Sequence, residues 1–404
     1  MACSLVSVSQ VISDRTVMAT LAGDDRPGVT SALFAAMAHH SVTVLDVEQL
    51  VVRGRLVLAV LLGNVDHAGE AQLLRDLQDV GQSLGLQVST TTGGAPDEEH
   101  RRNRIHVTVM GAPLQPEALA EVAAAIAELG GNIDRIRRIA SYPVTAIVFE
   151  ASGASVDALR APLAAIAASS GCDVAVQRKE IDRRGQHLVV MDVDSTLIAH
   201  EVIDLLAEEA GVGDEVQSIT ERAMHGELDF EQSLRARVAL LSGLEEAALL
   251  RVRSRITLTP GARTLCRTLN KLGFKIALVS GGFIEIVAPI AHELGIDHVR
   301  ANKLEIHEGR LTGGLSGQVI DRKAKQQALE DFAAIEGIPM SRTIAIGDGA
   351  NDIDMLTRAG LGVAFNAKPA TRAAADTAVN VPYLDSVLYL LGITREEIEE
   401  SQES

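Results

Sequence analysis

The segment HLVVMDVDST, residues 187–196, decides the fold of the C-terminal half of this 404-residue chain. It is a short apolar run that ends in Asp192 and Asp194, followed by Ser195 and Thr196. Strand alternation places both carboxylates in one neighbourhood, where they repel each other unless a cation or a shared proton relieves them. The segment therefore indicates a functional site at a strand end. Taken alone, it also fits a plain strand-end turn with a helix cap at Ser195.

Strands and helices alternate downstream of this segment. A stretch of helical periodicity comes first, and after Pro260 short apolar strands such as KIALVSGG (275–282) and TIAIGDG (343–349) are separated by helices. This alternation predicts an α/β fold with a doubly wound parallel sheet, whose ligand sites lie at the carboxyl ends of the strands. We expect LGVAFN (361–366) to end the series and the acidic tail REEIEESQES to be a frayed, solvated end.

A second acidic motif, GDGAND, follows the apolar strand TIAI. Asp348 would emerge at the same sheet edge, and the flanking glycines permit a sharp turn. Asn351 and Asp352 would then lie at the start of the next helix. A glycine turn with an Asn or Asp helix cap also accounts for this motif when it is taken alone.

Two further groups suit a phosphate. Ser280, Gly281 and Gly282 end the strand KIALV, where a hydroxyl and backbone N–H groups at a helix start can receive an anion. Lys325 opens the helix before TIAIGDG, where a lone lysine is usually a solvated charge. Together the strand ends supply carboxylates for a hard, oxygen-seeking cation, an anion cradle and an ammonium.

The order of these motifs resembles that of the haloacid dehalogenase superfamily of phosphotransferases. The family pattern is DxDST, then a strand-end Ser, then Lys, then GDxxND, and here it spans residues 187 to 396. The resemblance implies a phosphatase domain at 185–396 with a small helical cap at about 199–258. It also implies Mg²⁺ as cofactor, with Asp192, Asp348 and the backbone carbonyl of Asp194 as ligands.

The same resemblance implies a role for each motif residue. Asp192 would be the nucleophile that forms an aspartyl phosphate, and Asp194 the general acid and base. Lys325 would take part in catalysis and balance charge on the phosphoryl oxygens. The second acid points to a phosphatase, because ion pumps of the superfamily carry Thr there and dehalogenases lack the acid. The remaining expected contacts are Ser280, Gly281 and Asn351 with the substrate, and Asp352 behind the metal ligands.

The predicted cap carries two segments that resemble those of phosphoserine phosphatases within the superfamily, AHEVIDLLAEEAG (199–211) and ITERAMHGELDFEQSLRARV (219–238). The resemblance implies that Glu201 meets a substrate ammonium, that Arg237 meets its carboxylate, and that Met224 and Phe230 close over it. A free amino acid needs one partner of each charge, and Arg offers a bidentate fork to a carboxylate. Without the resemblance, Glu201 and Arg237 would be surface charges and the other two residues core.

The first half of the chain contains an internal repeat. VMATLAG (17–23) matches IHVTVMG (105–111), 88 residues further on. Each copy has the pattern of a strand, a helix, two strands, a helix and a last strand, which predicts a ferredoxin-like βαββαβ sandwich. We therefore predict two small domains at 14–94 and 104–181, joined by the polar segment 93–103.

The two copies resemble ACT domains, the small amino-acid-sensing modules of metabolic enzymes. GDDRPGVTSAL (23–33) is close to their first-loop pattern, whereas GAPLQPEAL (111–119) in the second copy lacks the DRPG. The resemblance implies regulation by serine, with Asp25 and Gly28 as effector contacts in the first copy. It also implies a homodimer formed through the ACT domains, since their pairing covers exposed strand edges.

Composition limits the classes of function. Acidic residues outnumber basic ones by 54 to 37, and the formal charge of −17 argues against nucleic acid and anionic membranes as partners. Cys3, Cys172 and Cys266 are too far apart for a disulfide framework, which fits a reducing compartment. No apolar stretch approaches the length of a membrane span and the N-terminus lacks the features of a secretion signal. We expect a soluble, cytosolic protein.

Three functions remain open at this point. The resemblance favours Mg²⁺-dependent hydrolysis of O-phospho-L-serine, the last step of serine biosynthesis. The second is a phosphatase for another phosphorylated metabolite, against which the pair Glu201 and Arg237 argues. The third is a non-enzymatic amino-acid sensor with an inactive phosphatase domain, against which the intact acidic motifs and Lys325 argue.

Overall fold

The chain divides into two compact units, residues 1–99 and 100–404. The structure, a computed structural model, describes residues 15–93 except 66 and 68, residues 104–178, and residues 187–403 except 226. Every helix in these ranges is too short or too polar to pass through a bilayer.

The first unit is a four-stranded antiparallel sheet with two helices, in the strand order β2-β3-β1-β4. Strand alternation buries every second residue of β1 and β3, and Leu21 and Leu58 are fully buried together with Leu33 and Leu77 of the helices. The repeat's βαββαβ pattern is therefore confirmed in this copy. Its elements are β1 (Thr16–Asp24), α1 (Val29–Met37), β2 (Thr43–Val52), β3 (Arg55–Gly63), α2 (Glu70–Ser83) and β4 (Gln87–Gly93).

The second copy of the repeat opens the second unit and has the same topology, with the strand order β6-β7-β5-β8. Its strands β5, β7 and β8 and its two helices share one apolar core, which includes Val107, Val122 and Leu159. The elements are β5 (Ile105–Gly111), α3 (Pro116–Glu128), β6 (Asn132–Ala140), β7 (Thr145–Ser152), α4 (Val156–Ser170) and β8 (Asp173–Arg178).

The rest of the second unit is built on a seven-stranded sheet in the order β12-β11-β10-β9-β13-β14-β15. Every neighbouring pair in this order except β12 and β11 runs parallel, which confirms the doubly wound fold. The strands are β9 (Leu188–Met191), β10 (Lys275–Phe283), β11 (His298–His307), β12 (Arg310–Ser316), β13 (Thr343–Gly347), β14 (Leu361–Phe365) and β15 (Thr377–Val379).

Helices cover both faces of this sheet and form a separate cap. The chain enters and leaves the cap side by side, because Ile198 and Leu258 form an antiparallel bridge. The cap helices are α5 (Val202–Ala210), α6 (Gly213–Met224), α7 (Phe230–Ala239) and α8 (Ala247–Arg255). The other helices are α9 (Ala262–Lys271), α10 (Ile284–Glu293), α11 (Arg322–Glu336), α12 (Ile353–Arg358), α13 (Pro369–Ala374), α14 (Val387–Leu390) and α15 (Arg395–Glu403).

Three sequence predictions about this sheet and its C-terminal end are wrong in detail. Strand β12 runs antiparallel to β11, because a tight turn at Glu308–Gly309 returns the chain directly. The series does not end at LGVAFN, since β15 adds one more parallel strand. The acidic tail is not a frayed end but helix α15, whose Ile398 is 1% exposed and whose Ser401 hydroxyl is 2.8 Å from that of Thr268 on α9. The buried Ile398 side chain and the polar contacts of Ser401 and Gln402 with α9 hold the helix in place.

The second repeat copy and the sheet are joined by polar contacts beside the edge strand β15. The backbone N–H and the side-chain amide of Asn380 donate to the two carboxylate oxygens of Asp173, at 2.9 and 2.7 Å. Thr377 Oγ1 donates to the carbonyl of Val174 at 2.9 Å. Burial raises the pKa of Asp173, so these donors offset the cost of placing its carboxylate there.

Candidate active site

The predicted motif residues meet at one edge of the seven-stranded sheet. Strand β9 lies between β10 and β13, and Met191 pairs with Leu278 on one side and Ile346 on the other. The carboxyl ends of all three strands are therefore level. Asp192 and Asp348 follow the ends of β9 and β13 directly, and Ser280 lies in β10 two residues after Leu278, as the alternation of strands and helices predicts.

A buried ammonium lies between two carboxylates at the centre of this edge. Lys325 Nζ is 2.7 Å from Asp192 Oδ2 and 2.7 Å from Asp352 Oδ1, and its side chain is 0% exposed. The other oxygen of Asp192, Oδ1, accepts the Val193 N–H at 2.7 Å, and the Asp192 N–H donates to the Ile346 carbonyl at 2.9 Å. The two carboxylates raise the pKa of Lys325 against the effect of burial, so the ammonium stays charged.

Three carboxylates are close enough to share one metal ion. Oxygens of Asp192, Asp348 and Asp352 all lie within 4.8 Å of one another. Thr196 Oγ1 donates to Asp348 Oδ1 at 3.0 Å and orients that carboxylate. Oxygen ligands at this spacing suit a hard divalent cation.

Electrostatics at the cluster also favours a cation. Asp194 lies beside these three carboxylates, and Lys325 is the one ammonium that pairs with them among the described residues. Burial raises the pKa of Asp192, with a further contribution from the Asp352 charge. Burial and the Asp352 charge likewise raise the pKa of Asp348 to about 6. Four carboxylates against one ammonium leave an excess of negative charge, which a divalent cation would relieve.

Asp194 is held between the sheet edge and the cap. Its Oδ1 accepts the Val202 N–H at 3.0 Å and its Oδ2 accepts from Ser280 Oγ at 3.3 Å. Desolvation, followed by the nearby charge of Glu201, raises the pKa of Asp194 to about 7. A carboxyl group with a pKa near neutrality can both donate and accept a proton, as general acid and base catalysis requires.

Residues 280–282 pack closely against Asp194 and against the cap residue Phe230. The Gly282 N–H donates to Ser280 Oγ at 2.8 Å. A Cβ atom at Gly282 would lie 2.7 Å from Asp194 Oδ2, so any larger residue there would displace the Asp194 carboxylate. The ring of Phe230 lies above the loop, with its Cζ 3.3 Å from the position that a Cβ of Gly281 would take. The structure thus places the cap residue Phe230 over the predicted anion cradle.

Charged cap residues face the same space as Asp194. Ser195, in the left-handed conformation with φ 55°, donates its hydroxyl to Glu201 Oε1 at 2.7 Å. Arg237 is half-buried, and desolvation lowers its pKa while the charges of Asp204, Glu201 and Asp194 act in the other direction. The Arg237 guanidinium therefore lies within electrostatic range of Glu201 in the cap and of Asp194 at the sheet edge.

The remaining predicted residues have different outcomes. Asn351 is near the site, with its Oδ1 turned back towards Gly349. The side chain of Met224 lies outside the described part of the structure. Asp25 and Gly28 lie in one loop of the first unit, where Gly28 has φ 94° at the start of α1.

Two residues at the site are not among the functional candidates that the sequence predicts. Thr196 belongs to the DxDST motif, and its hydroxyl holds Asp348. Asp204 acts on Arg237, and its position three residues after Glu201 on the same helix face is the signal that could have found it.

The fold and site define a haloacid dehalogenase-like hydrolase preceded by two ACT domains. The sequence pattern of the first family matches residues 189–357, and ACT patterns match residues 15–91 and 105–177. A solved structure titled as a probable phosphoserine phosphatase from Vibrio cholerae is 34% identical, with a TM-score of 0.57, and the match covers 73% of this chain and 88% of that one.

Relatives of known name match almost the whole chain. A phosphoserine phosphatase of Streptomyces coelicolor is 52% identical over 98% of this chain and 96% of its own length. A phosphoserine phosphatase of Mycobacterium tuberculosis is 47% identical over 95% of each chain. The chain therefore belongs to the phosphoserine phosphatase family of haloacid dehalogenase-like hydrolases, and it is an enzyme that hydrolyses phosphoric monoesters.

Proposed function

We propose that this enzyme hydrolyses O-phospho-L-serine to L-serine and phosphate, with Mg²⁺ as cofactor and an aspartyl phosphate on Asp192 as intermediate. The observation that carries the proposal is the position of Arg237 and Glu201 beside the carboxylate cluster. Two opposite charges next to a phosphate-transfer centre match a substrate that is itself a zwitterion.

The first step follows from the surroundings of Asp192. Phosphate monoesters hydrolyse very slowly unaided, and a covalent intermediate divides the reaction into two easier steps. An anionic carboxylate approaches a phosphate only if positive charge screens it, and Lys325 is 2.7 Å from Asp192. Mg²⁺ held by Asp192, Asp348 and the Asp194 carbonyl would supply further charge neutralisation. The hydroxyl of Ser280, which donates to Asp194 Oδ2 in the structure, would turn to donate to a phosphoryl oxygen when the substrate binds.

Asp194 would handle the protons of both steps. With a pKa of about 7, it can hold a proton for the leaving serine alkoxide. The oxygen then freed accepts a proton from the water that attacks the acyl phosphate at phosphorus. The Val202 N–H holds one of its oxygens in place, and the Ser280 hydroxyl holds the other until the substrate binds.

Substrate selection would come from the cap. Arg237 would bind the carboxylate of phosphoserine, Glu201 its ammonium, and Phe230 would cover the reacting group. Asn351 and Gly281 complete the expected contacts with the substrate. A phosphatase for sugar phosphates is the second candidate, but a sugar has no charged ends that would pair with Arg237 and Glu201.

The ACT domains would provide regulation and a dimer interface. In the first unit the edge strand β2 is exposed along its length, with Leu50 61% and Val52 55% exposed. Exposed apolar edge strands are usually covered by another chain, which supports a homodimer formed through the ACT domains. The loop with Asp25 and Gly28 would receive serine as effector. The free, buried Cys172 and Cys266 fit a cytosolic enzyme of serine biosynthesis.

The direct test of this function is a phosphate-release screen over phosphorylated metabolites, with and without Mg²⁺. We expect phosphoserine to be the preferred substrate, sugar phosphates to be poor ones, and chelation to abolish turnover. Preference for a substrate without an amino acid group would contradict the proposed specificity. Full activity after removal of divalent ions would contradict the proposed cofactor.

Arg237→Ala is expected to lower kcat/KM for phosphoserine about 100-fold, because a charged hydrogen-bond partner of the carboxylate is lost. Hydrolysis of p-nitrophenyl phosphate, which has no carboxylate, should change much less. Arg235→Ala is the matched control, since Arg235 lies on the same helix but pairs with Glu231 at the surface. Equal losses on both substrates would show that Arg237 is structural.

Mg²⁺ binding is expected to strengthen as pH rises, because the raised pKa of Asp348, about 6, makes protons compete with the cation. Without the cation, stability depends on pH in the opposite direction. Because the pKa of Asp348 is higher in the folded than in the unfolded state, the free energy of unfolding falls as pH rises towards about 6. From thermal shifts over a range of Mg²⁺ concentrations, the affinity at pH 5 should be about tenfold lower than at pH 8.

Asp348→Asn, which removes one of the proposed ligands, should weaken the Mg²⁺-induced thermal shift and reduce its pH dependence, to which Asp192 would still contribute. Asp354→Asn, which removes a nearby carboxylate that pairs with Arg322 instead, is the control and should leave both unchanged. A Mg²⁺-induced shift that is the same at both pH values and in all variants would contradict a site at Asp348.

Gly28→Asp is expected to weaken the response of the enzyme to added serine and leave the basal rate unchanged, because it places a carboxylate where the effector carboxylate would bind. Gly28 has positive φ and open space around its Cβ position. Gly130→Asp is matched in both respects and lies in the second ACT domain, outside this loop. An unchanged serine response in Gly28→Asp, or an equal change in both variants, would place the effector site elsewhere.

A further inference from the structure

The loop that ends strand β10 bulges away from its neighbour β11. Pairing between the two strands is regular up to Ser280 and resumes only at Phe283, which lies opposite Asn302. Gly281 and Gly282 therefore have no partner on β11. A bulge of this kind leaves backbone groups outside the ladder and re-aims them, here towards the active-site edge.

The side chain of Asn302 fills the gap that the bulge leaves. Its Nδ2 donates to the Gly281 carbonyl at 2.7 Å, and its Oδ1 accepts the Ile320 N–H at 2.8 Å. Asn302 is 2% exposed. The orientation of its amide follows from chemistry, since a carbonyl oxygen only accepts and a backbone N–H only donates.

The first of these bonds fixes a peptide plane of the phosphate loop. The Gly281 carbonyl and the Gly282 N–H belong to the same planar peptide group and point in opposite directions. With the carbonyl held by Asn302, the N–H is directed at Ser280 Oγ, to which it donates at 2.8 Å. Two consecutive glycines offer little resistance to rotation of this plane, so the side chain supplies the restraint.

The second bond ties the same side chain to the helix that carries the buried ammonium. Ile320 directly precedes Asp321, whose side chain caps α11 by accepting the Ala324 N–H at 2.8 Å. Lys325 lies in the first turn of that helix. One amide therefore joins the loop at Gly281 to the start of α11.

We propose that Asn302 is a positioning residue for the transferred phosphoryl group, which sets the Gly281–Gly282 peptide relative to Lys325. This rests on the proposed function, in which the loop and Lys325 contact the phosphoryl oxygens. Asn302 acts through these groups and does not touch the substrate. If the Gly281–Gly282 peptide were misplaced relative to Lys325, the phosphoryl group would bind more weakly. Binding of the serine part of the substrate would not change.

Asn302→Asp tests this directly, because it keeps the shape and the acceptor for Ile320 but replaces the donor to Gly281 with an acceptor. In the Mg²⁺-loaded enzyme we expect the inhibition constant of inorganic phosphate to rise at least tenfold. The inhibition constant of L-serine, measured as product, should change less than twofold. Asn270→Asp is the matched control, since Asn270 also donates to backbone carbonyls, of Leu294 and Gly295, away from the site.

The alternative is that Asn302 only satisfies buried backbone groups. In that case the variant would lose stability in urea denaturation but bind phosphate and serine as the wild type does, or lose affinity for both equally. Either result overturns the proposal. If Asn302→Asp does not fold, Asn302→Ser is used instead. Its side chain is too short to bond both the Gly281 carbonyl and the Ile320 N–H, so it should also weaken phosphate binding more than serine binding.

The test separates this proposal from the proposed function. If the wild type does not hydrolyse phosphoserine, the function fails, and phosphate binding measured by calorimetry still compares the wild type with the variant. If the wild type is an active phosphoserine phosphatase but its phosphate affinity does not depend on residue 302, the positioning role alone fails.

Discussion

The ammonium of Lys325, buried between Asp192 and Asp352, is the interaction on which the site depends. Burying a charge is costly unless partners surround it, and here each partner is itself a buried carboxylate at 2.7 Å. Lys325 is the critical member of the three, since its removal would leave two carboxylates in the core without a positive partner. Burial, with the Asp352 charge, raises the pKa of Asp348 to about 6, and burial, with the Glu201 charge, raises that of Asp194 to about 7. Enclosure of the acidic groups therefore shifts both carboxyl groups towards neutral pH.

The parallel sheet and the cap contribute different parts of this arrangement. Level strand ends bring carboxylates together from distant parts of the chain. The cap supplies the Val202 N–H to Asp194 and brings Glu201 and Arg237 to the same place. Asp194 is bonded to both the cap and the sheet edge. In the proposed mechanism, one carboxylate would therefore link proton transfer to enclosure of the substrate by the cap.

Local sequence patterns predicted the strand ends but not the contacts between them. Apolar runs followed by acids predicted that Asp192 and Asp348 would meet, because strand direction alone decides this. Asp352 was expected behind the metal ligands, and its bond to Lys325 joins elements that no local pattern relates. The role of Asn302 could not be predicted from the sequence. A single Asn inside a strand forms no recognisable motif, and its contacts depend on the bulge in the neighbouring strand. The buried face of α15 was missed because a single isoleucine, Ile398, among acidic residues is too weak a periodic signal.

The most direct test of the account asks which atom receives the phosphoryl group. The enzyme is mixed with phosphoserine and Mg²⁺, quenched within one turnover, and treated with borohydride, which converts an acyl phosphate of aspartate to homoserine. Peptide mass spectrometry then locates the change. We predict homoserine at position 192 and at no other aspartate, and none in Asp192→Asn. Homoserine at Asp348 or Asp194, or a fully active enzyme that never accumulates an acyl phosphate, would contradict it.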